Sequence, residues 1–474
     1  MAAPHLQPTP ITPRPDGEPA AYRELTSRFA GRLLRPGDPR YEDHRQIWNG
    51  AIDRRPALIA RCSGPGDVRT ALRYARRTGI EVAVRGGGHS FPGHSAVDGG
   101  LVIDLSELTR IHVDPARRTV RAQAGALLGD LDRVTQPHGL AVPCGVVTHT
   151  GIAGLTLGGG IGWLMRKYGL TIDNLLSVKL ITASGDAVTA SATDHAELFW
   201  GVRGGGGNFG VVTEFTYRLQ PVGPTVLAGP IFWSLDDSPK VMRFYRDWIA
   251  DAPDELTTIA IHRKMPALPA VPAELHGKPI VTITCCYVGD LDEGERVIGP
   301  MRRFGSPVLD LCAPKPYVDH QAMFDPAYPA GRWYYFRSGD LDELTDGAID
   351  AIVDAGAGIK SPHTSMPMFH LGGAVARVDE DDTAYTGRNS AHTVNIACST
   401  EGPDGFDAER DWLERTWSGL EPYSTTTYVN FLMDEGSDRI RAAYGPTKYA
   451  RLQALKRTYD PDNLFRRNQN IPPS

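Results

Sequence analysis

The chain has 474 residues, too many for one core of ordinary size, which predicts two domains or one domain interrupted by another. Its composition, 41% apolar and 22% charged, is that of a soluble globular protein, and a net charge of −6 with no concentrated Lys/Arg block argues against nucleic-acid and anionic-membrane partners. Six scattered cysteines, with no CxxC pair and no Cys/His spacing suited to zinc, argue against a disulfide framework or a metal cage.

The opening "MAAPHLQPTPITPRPDGEPA" is proline-rich, which predicts a flexible stretch over residues 1–20. It lacks the apolar core of a signal peptide, and no run of about 18 apolar residues exists to span a bilayer, so a cytoplasmic protein is expected. A short helix is predicted from Tyr22, then a strand over Pro56–Cys62. Asp67 stands at an N-cap position before a helical stripe of Val68, Leu72 and Ala75, which Thr78–Gly79 ends. Glu81–Arg85 reads as a second strand that runs straight into "GGGHS". Strand-like pieces flank a turn at Asp114–Pro115, and "LLGDLDRVTQPHGL" is helical until Pro137–Gly139. "SVKLITASGDAVTA" predicts a hairpin around Ser184–Asp186, and "VVTEFTYRL" alternates as a half-buried strand does. Beyond Pro221–Pro224 the glycine density falls, with strands expected at "KPIVTITCCYVG" and "HTVNIACST". The end, "GPTKYARLQALKRTYDPDNLFRRNQNIPPS", is a helix stopped by Asp460–Pro461 and followed by a tail.

Three glycine clusters stand out: "VRGGGHSFPGHS", "GIAGLTLGGGIGWLMRKYGL" and "FWGVRGGGGNFG". Gly205, Gly207 and Gly210 satisfy GxGxxG, but a Rossmann turn must open a helix, and here a strand pattern follows. No Gly-Lys-Ser/Thr follows any cluster, which excludes a Walker P-loop. Bare backbone lets a ligand approach closely, and successive N–H groups in such turns make anion-binding concavities. Three such places suit an extended dinucleotide better than a small metabolite.

In four blocks the chain resembles the FAD-linked oxidases of the vanillyl-alcohol oxidase and p-cresol methylhydroxylase superfamily, in its berberine-bridge-enzyme-like branch. The blocks are "VRGGGHS", "GIAGLTLGGGIGWLMRKYGLTIDNL", "ELFWGVRGGGGNFGVVTEF" and "YVNF…YDPDNLFRRNQNIPP", in order, from about Pro56 to Pro473. The resemblance implies an α+β fold in two parts. Residues 21–222, completed by 423–474, would form an FAD-binding domain of the p-cresol methylhydroxylase (PCMH) type. Residues 223–422 would form an inserted substrate domain, an antiparallel sheet flanked by helices.

The resemblance also implies the cofactor, FAD, and its contacts. Arg85, Gly86, Gly87, Gly88 and Ser90 would surround the pyrophosphate, and His89 would bond covalently to the flavin 8α-methyl group. His94, in "FPGHS", is the competing histidine but does not match the motif. The second loop would contribute Val147, Thr150, Gly151, Gly154, Gly158 and Gly162, with Val212, Asn468 and Asn470 from farther along the chain. Many relatives attach the flavin a second time through a cysteine. Val147 holds that position here, Cys144 lies three residues too early, and Leu155 replaces a histidine of several doubly attached relatives. A single tether, through His89, is therefore expected.

Oxidation of a C–H bond by a flavin needs a proton acceptor while hydride goes to the cofactor. Tyr428 and Asn430 in "TTTYVNF" have strand spacing, which puts both side chains on one side, and match the family's Tyr-x-Asn motif. Tyr428 is implied as base or hydrogen-bond donor, though a phenol of ordinary pKa is a poor base at neutral pH. Asn395 would orient substrate, with Thr393 and His392 as neighbouring alternatives. Tyr168 and the aromatic run Arg332–Phe336 are further candidates for the pocket wall. The expected activity is an FAD-dependent oxidase that removes a hydride from a hydroxylated small molecule, a sugar, phenolic or secondary metabolite, and reduces O2 to hydrogen peroxide. A dehydrogenase or oxidative cyclase using another acceptor, and a non-redox flavin-scaffolded pocket, are the alternatives; the oligomeric state is left open.

Overall fold

A computed structural model describes residues 19–473. The expected flexible stretch lies outside the described residues except at its end, where the first helix, Ala20–Arg28, already begins. Among the described residues no helix is long and apolar enough to cross a membrane.

Three large sheets with their helices, and a two-stranded ribbon pairing Gln220–Pro221 with Leu140–Ala141, make an α+β architecture. The first sheet orders Arg32–Leu34, Leu58–Arg61, Leu101–Asp104 and Val82–Arg85 side by side. Its last three strands are parallel, and Leu58–Arg61 and Leu101–Asp104 are buried throughout, as sheets covered on both faces require. The crossover is the helix Pro65–Thr78, which buries Val68, Ala71, Leu72 and Ala75 along one stripe and ends at Gly79, φ +69°. This helix starts earlier than expected: Gly64 takes the N-cap position, and Asp67 lies in the first turn. The Asp67 carboxylate instead accepts from the backbone N–H groups of Ala30, Gly31 and Ser63, which gives a buried charge its partners.

The second sheet is wholly antiparallel, in the order Ile111–Asp114, Thr119–Gln123, Val211–Arg218, Leu175–Ile181, Ala187–Ser191. Val211–Arg218, directly after the third glycine cluster, is its central strand, which agrees with the exclusion of a Rossmann turn.

The third sheet runs Leu309–Asp310, Thr225–Ser234, Pro279–Tyr287, Leu256–Lys264, Ser365–His370, His392–Thr400, Trp333–Leu341, with Ala313–Pro316 also paired to Thr225–Ser234. Period-two alternation decides what each of its faces covers. Leu227, Ile231, Trp233, Ala260, Ile283 and Ile396 face a layer of four helices, Ser238–Ile249, Leu291–Arg302, Asp346–Ala357 and Phe406–Leu420. Ile259, Ile261, Cys286 and Phe369 face the other way, onto Trp163, Leu164, Met165 and Tyr428. The adjacent Cys285 and Cys286 therefore join different cores, and all six cysteines are buried and free.

The C-terminal helix Ser437–Tyr459 starts before the expected Gly445, where the backbone breaks (φ +68°) at Gly445–Pro446. After it the tail returns to the third glycine cluster. Asn208 donates to the Gln469 carbonyl at 3.1 Å and accepts the Ile471 N–H at 3.1 Å. The fully buried Lys456 ammonium joins Asp460 (2.6 Å) to the carbonyls of Asn208 and Phe465, both at 2.9 Å.

Candidate active site

The strand Val82–Arg85 ends at the first glycine loop, and that loop crosses the second one where neither has a side chain. A Cβ on Gly87 would lie 2.5 Å from the Gly151 Cα, and one on Gly151 would lie 2.4 Å from the Gly87 nitrogen. Beside the crossing, a cavity of about 330 Å³ opens between the first two sheets and the inner face of the third. Gly86, Gly87, Gly88, His89 and Ser90 form one wall, and Val147, Thr150, Gly151 and Gly154 another. Gly206, Gly207, Val212 and the tail residues Arg467, Asn468 and Gln469 complete the far end.

His89 stands at the near end, its ring stacked on Trp48 at 4.2 Å and 19°. The His149 ring lies 5.2 Å away on a tilted plane. Burial, reinforced by His149, pulls the His89 pKa down to about 3, so its imidazole is neutral at physiological pH. Its Nε2 is buried without a partner. His94 also borders the cavity, with its own Nε2 unpartnered and its pKa pulled by burial to about 4. The aromatic run 332–336 backs this wall. Tyr334 stacks on Trp48 at 3.9 Å, and Phe336 on Phe91 at 3.9 Å.

Tyr428 and Asn430 both line the cavity, though the strand expected for them is absent: Val429–Phe431 is a 3-10 turn and Tyr428 precedes it. The turn still brings the two side chains together. The Tyr428 oxygen accepts the Asn430 amide at 2.7 Å and the Gly160 N–H at 2.8 Å. Asn430 also donates to the Leu155 carbonyl at 3.0 Å, which pins its amide. Burial outweighs the hydrogen bonds the oxygen accepts and pushes the Tyr428 pKa up to about 12, so the phenol keeps its proton at neutral pH.

Seven expected site residues lie off the cavity wall. Gly158 and Gly162 serve packing, because a Cβ would meet the Asn430 Oδ1 at 2.1 Å and the Cys144 oxygen at 1.8 Å respectively. The Arg85 guanidinium turns to the His44 carbonyl, and Asn470 sits beyond the cavity end with its Oδ1 unpartnered. The Tyr168 hydroxyl donates to the Pro221 carbonyl at 2.7 Å. His392 shares the strand face of Val394 and Ile396, which looks to the helix layer, and packs near Tyr245 and His370. Asn395 has the opposite, inward face but does not line the cavity. It is paired with Ser338, and its Oδ1 is buried without a partner.

Bare backbone along two loops, an apolar interior and unpartnered buried atoms on His89, Ser95, Arg467 and Asn468 suit a long ligand with both apolar and polar parts. FAD fits that description. Trp48, His149, Arg467 and Gln469 escaped the sequence reading. His149, in "THTGIAG" at the second glycine loop, could have been found from its position; Trp48 carried no such signal.

Residues 56–191 match the family model for an FAD binding domain, and residues 427–472 match the berberine and berberine-like model. The (R)-6-hydroxynicotine oxidase of Paenarthrobacter nicotinovorans is 32% identical, covering 94% of this chain and 97% of that protein. An FAD-linked oxidoreductase of Bacillus subtilis, YgaK, is 32% identical over 94% of this chain and 98% of its own. The crystal structure of 6-hydroxy-D-nicotine oxidase from Arthrobacter nicotinovorans superposes with a TM-score of 0.85 at 30% identity, covering 94% and 98% of the two chains. The chain belongs to the FAD-linked oxidoreductases of the berberine-bridge-enzyme-like family. It is a flavoenzyme, and FAD is its cofactor.

Proposed function

We propose that this enzyme oxidises a hydroxylated small molecule by hydride transfer to FAD and returns the electrons to O2 as hydrogen peroxide. Residues 21–222 and 423–474 hold the cofactor, and residues 223–422 bring the substrate to it. FAD supplies the hydride acceptor and the oxygen chemistry. The N–H groups of the first glycine loop cradle the pyrophosphate, and His89 is the single covalent tether, since Val147 offers no sulfur at the second position. Tyr428 donates a hydrogen bond to the substrate oxygen and so orients the C–H bond, while the substrate hydroxyl proton leaves to water as the hydride goes to FAD. Asn430 and the Gly160 N–H fix the phenol for that contact.

The observation that supports this most is the doubly anchored Tyr428 hydroxyl on the same cavity as His89. The test mixes the purified enzyme without oxygen against sugars, phenols and hydroxylated heterocycles, following the flavin absorbance. One class should bleach the flavin, and admitted O2 should restore the colour with one peroxide per flavin. Recovery only with an added dye would make the enzyme a dehydrogenase. Failure of every class to bleach it would contradict hydride transfer from such substrates.

A further inference from the structure

We infer that His149 is the positioning residue that accepts the His89 ring proton when the flavin tether forms. This rests on the reading of His89 as the tether. Joining a His89 ring nitrogen to the flavin 8α-carbon forms one N–C bond and breaks two bonds, the methyl C–H and the His89 N–H. Both hydrogens leave as protons, one to His149 and one to water, while the two electrons stay in the cofactor. Dioxygen then takes the electrons with two protons, so the sum is one N–C bond and one hydrogen peroxide.

The difficulty in this step lies on the imidazole. As its nitrogen bonds to carbon the ring becomes a cation, and the protein has placed it where cations are disfavoured. One face is covered by Trp48 at 4.2 Å, and among the described residues no carboxylate is hydrogen-bonded or ion-paired to the ring. The ring must therefore lose its proton as the bond forms, and the acceptor has to be close. His149 is the neighbouring titratable ring, 5.2 Å between centroids, with a buried Nε2 that has no partner. A hydrogen bond to the Tyr328 backbone occupies its other nitrogen, which leaves the lone pair on Nε2.

His149 is also the better base of the two. It is less enclosed than His89, and the Asp325 carboxylate acts on it to raise its proton affinity, against the lowering by burial. Asp325 is fixed in place by the neighbouring residue, accepting the Thr148 N–H at 2.8 Å and the Thr148 hydroxyl. Asp325 belongs to the inserted part of the chain and His149 to the second glycine loop. The acceptor is thus complete only when both parts are folded together.

The test measures covalent flavin, by acid precipitation and gel fluorescence, in the wild type, His149→Ala and His149→Gln. Each protein is sampled at harvest and during incubation with FAD from pH 6 to 9. Both variants should bind FAD without the bond and gain it about 10²-fold more slowly than wild type, the usual contribution of a positioned proton acceptor. Their tethering should quicken with rising pH, and free imidazole should restore it in His149→Ala. Full attachment at harvest in both variants would overturn the inference, as would slow attachment that neither pH nor imidazole changes. Loss of all FAD binding in both variants would overturn it too, since His149 would then serve the fold. A wild type without covalent flavin would instead remove the tether reading itself.

Discussion

Tyr428 shows how burial and hydrogen bonding compete on one oxygen. Two donors at 2.7 and 2.8 Å favour the phenolate, yet removal from water dominates and its pKa rises to about 12. The phenol therefore does not titrate near neutrality. Tyr428→Phe should keep bound flavin and lower kcat about 10²-fold, while the limbs of the pH–rate profile between pH 6 and 9 stay in place. A limb that disappears in the variant would show that Tyr428 ionises during turnover. The expectation of a role for it came from "TYVNF" only through the family motif. The spacing suggested a strand, but Tyr428 is an extended residue entering a 3-10 turn, and the pattern alone does not separate the two. His392 was misplaced for a related reason. Alternation fixes which residues share a face, whereas the face that meets the cavity depends on strand partners far away in sequence.

At the scale of elements, the glycine loops divide into those that make room for protein and those that make room for ligand. A Cβ on Gly87 strikes backbone of the second loop, whereas one on Gly154, inside the helix Ile152–Gly158, meets nothing within 4 Å. Gly87→Ala should destabilise the protein by about 1–3 kcal/mol, the range for overpacking a tight contact. Gly154→Ala should leave Tm unchanged or raise it in protein lacking FAD, because alanine favours the helix, yet weaken FAD loading at the cavity wall. Thermal melts with and without FAD separate the two effects. Glycine clusters are legible in a sequence because few folds need them. Which glycine faces a ligand and which faces a backbone emerged only once the loops were seen to cross.

For the whole molecule, the tail decides whether the far end of the cavity exists. Arg467, Asn468 and Gln469 are held there by the Asn208 amide and by the buried pair of Lys456 and Asp460, both fully enclosed. Lys456→Met leaves the carboxylate uncompensated, so a loss of about 3–5 kcal/mol is expected, with weakened FAD retention. Urea unfolding and flavin content check both. Acid should also weaken the fold. Burial lowers the pKa of His262, His320, His370 and His392, to about 4, about 3, well below normal and about 4. Their unfolded forms bind protons below pH 6.5 while the folded forms resist, so stability falls as pH drops from 6.5 toward 4. Asp132 and Asp340, both raised to about 7 by burial, act in the opposite sense between pH 4 and 7, but these histidines, with His89 and His94 lowered in the same way, outnumber them. Tm should therefore be highest above pH 6.5 and decline below it; a Tm that rises on acidification would contradict this balance.

The central claim is that a neutral His89, buried at Nε2 against Trp48, is the single covalent anchor of FAD. The most direct measurement is acid precipitation of wild type and His89→Ala, followed by gel fluorescence and the visible spectrum of pellet and supernatant. The account predicts a yellow, fluorescent wild-type pellet, and a His89→Ala protein that binds FAD but releases all of it to the supernatant. Flavin still bonded to His89→Ala, through His94 or any other residue, would contradict it, as would a wild type that gives up all its flavin.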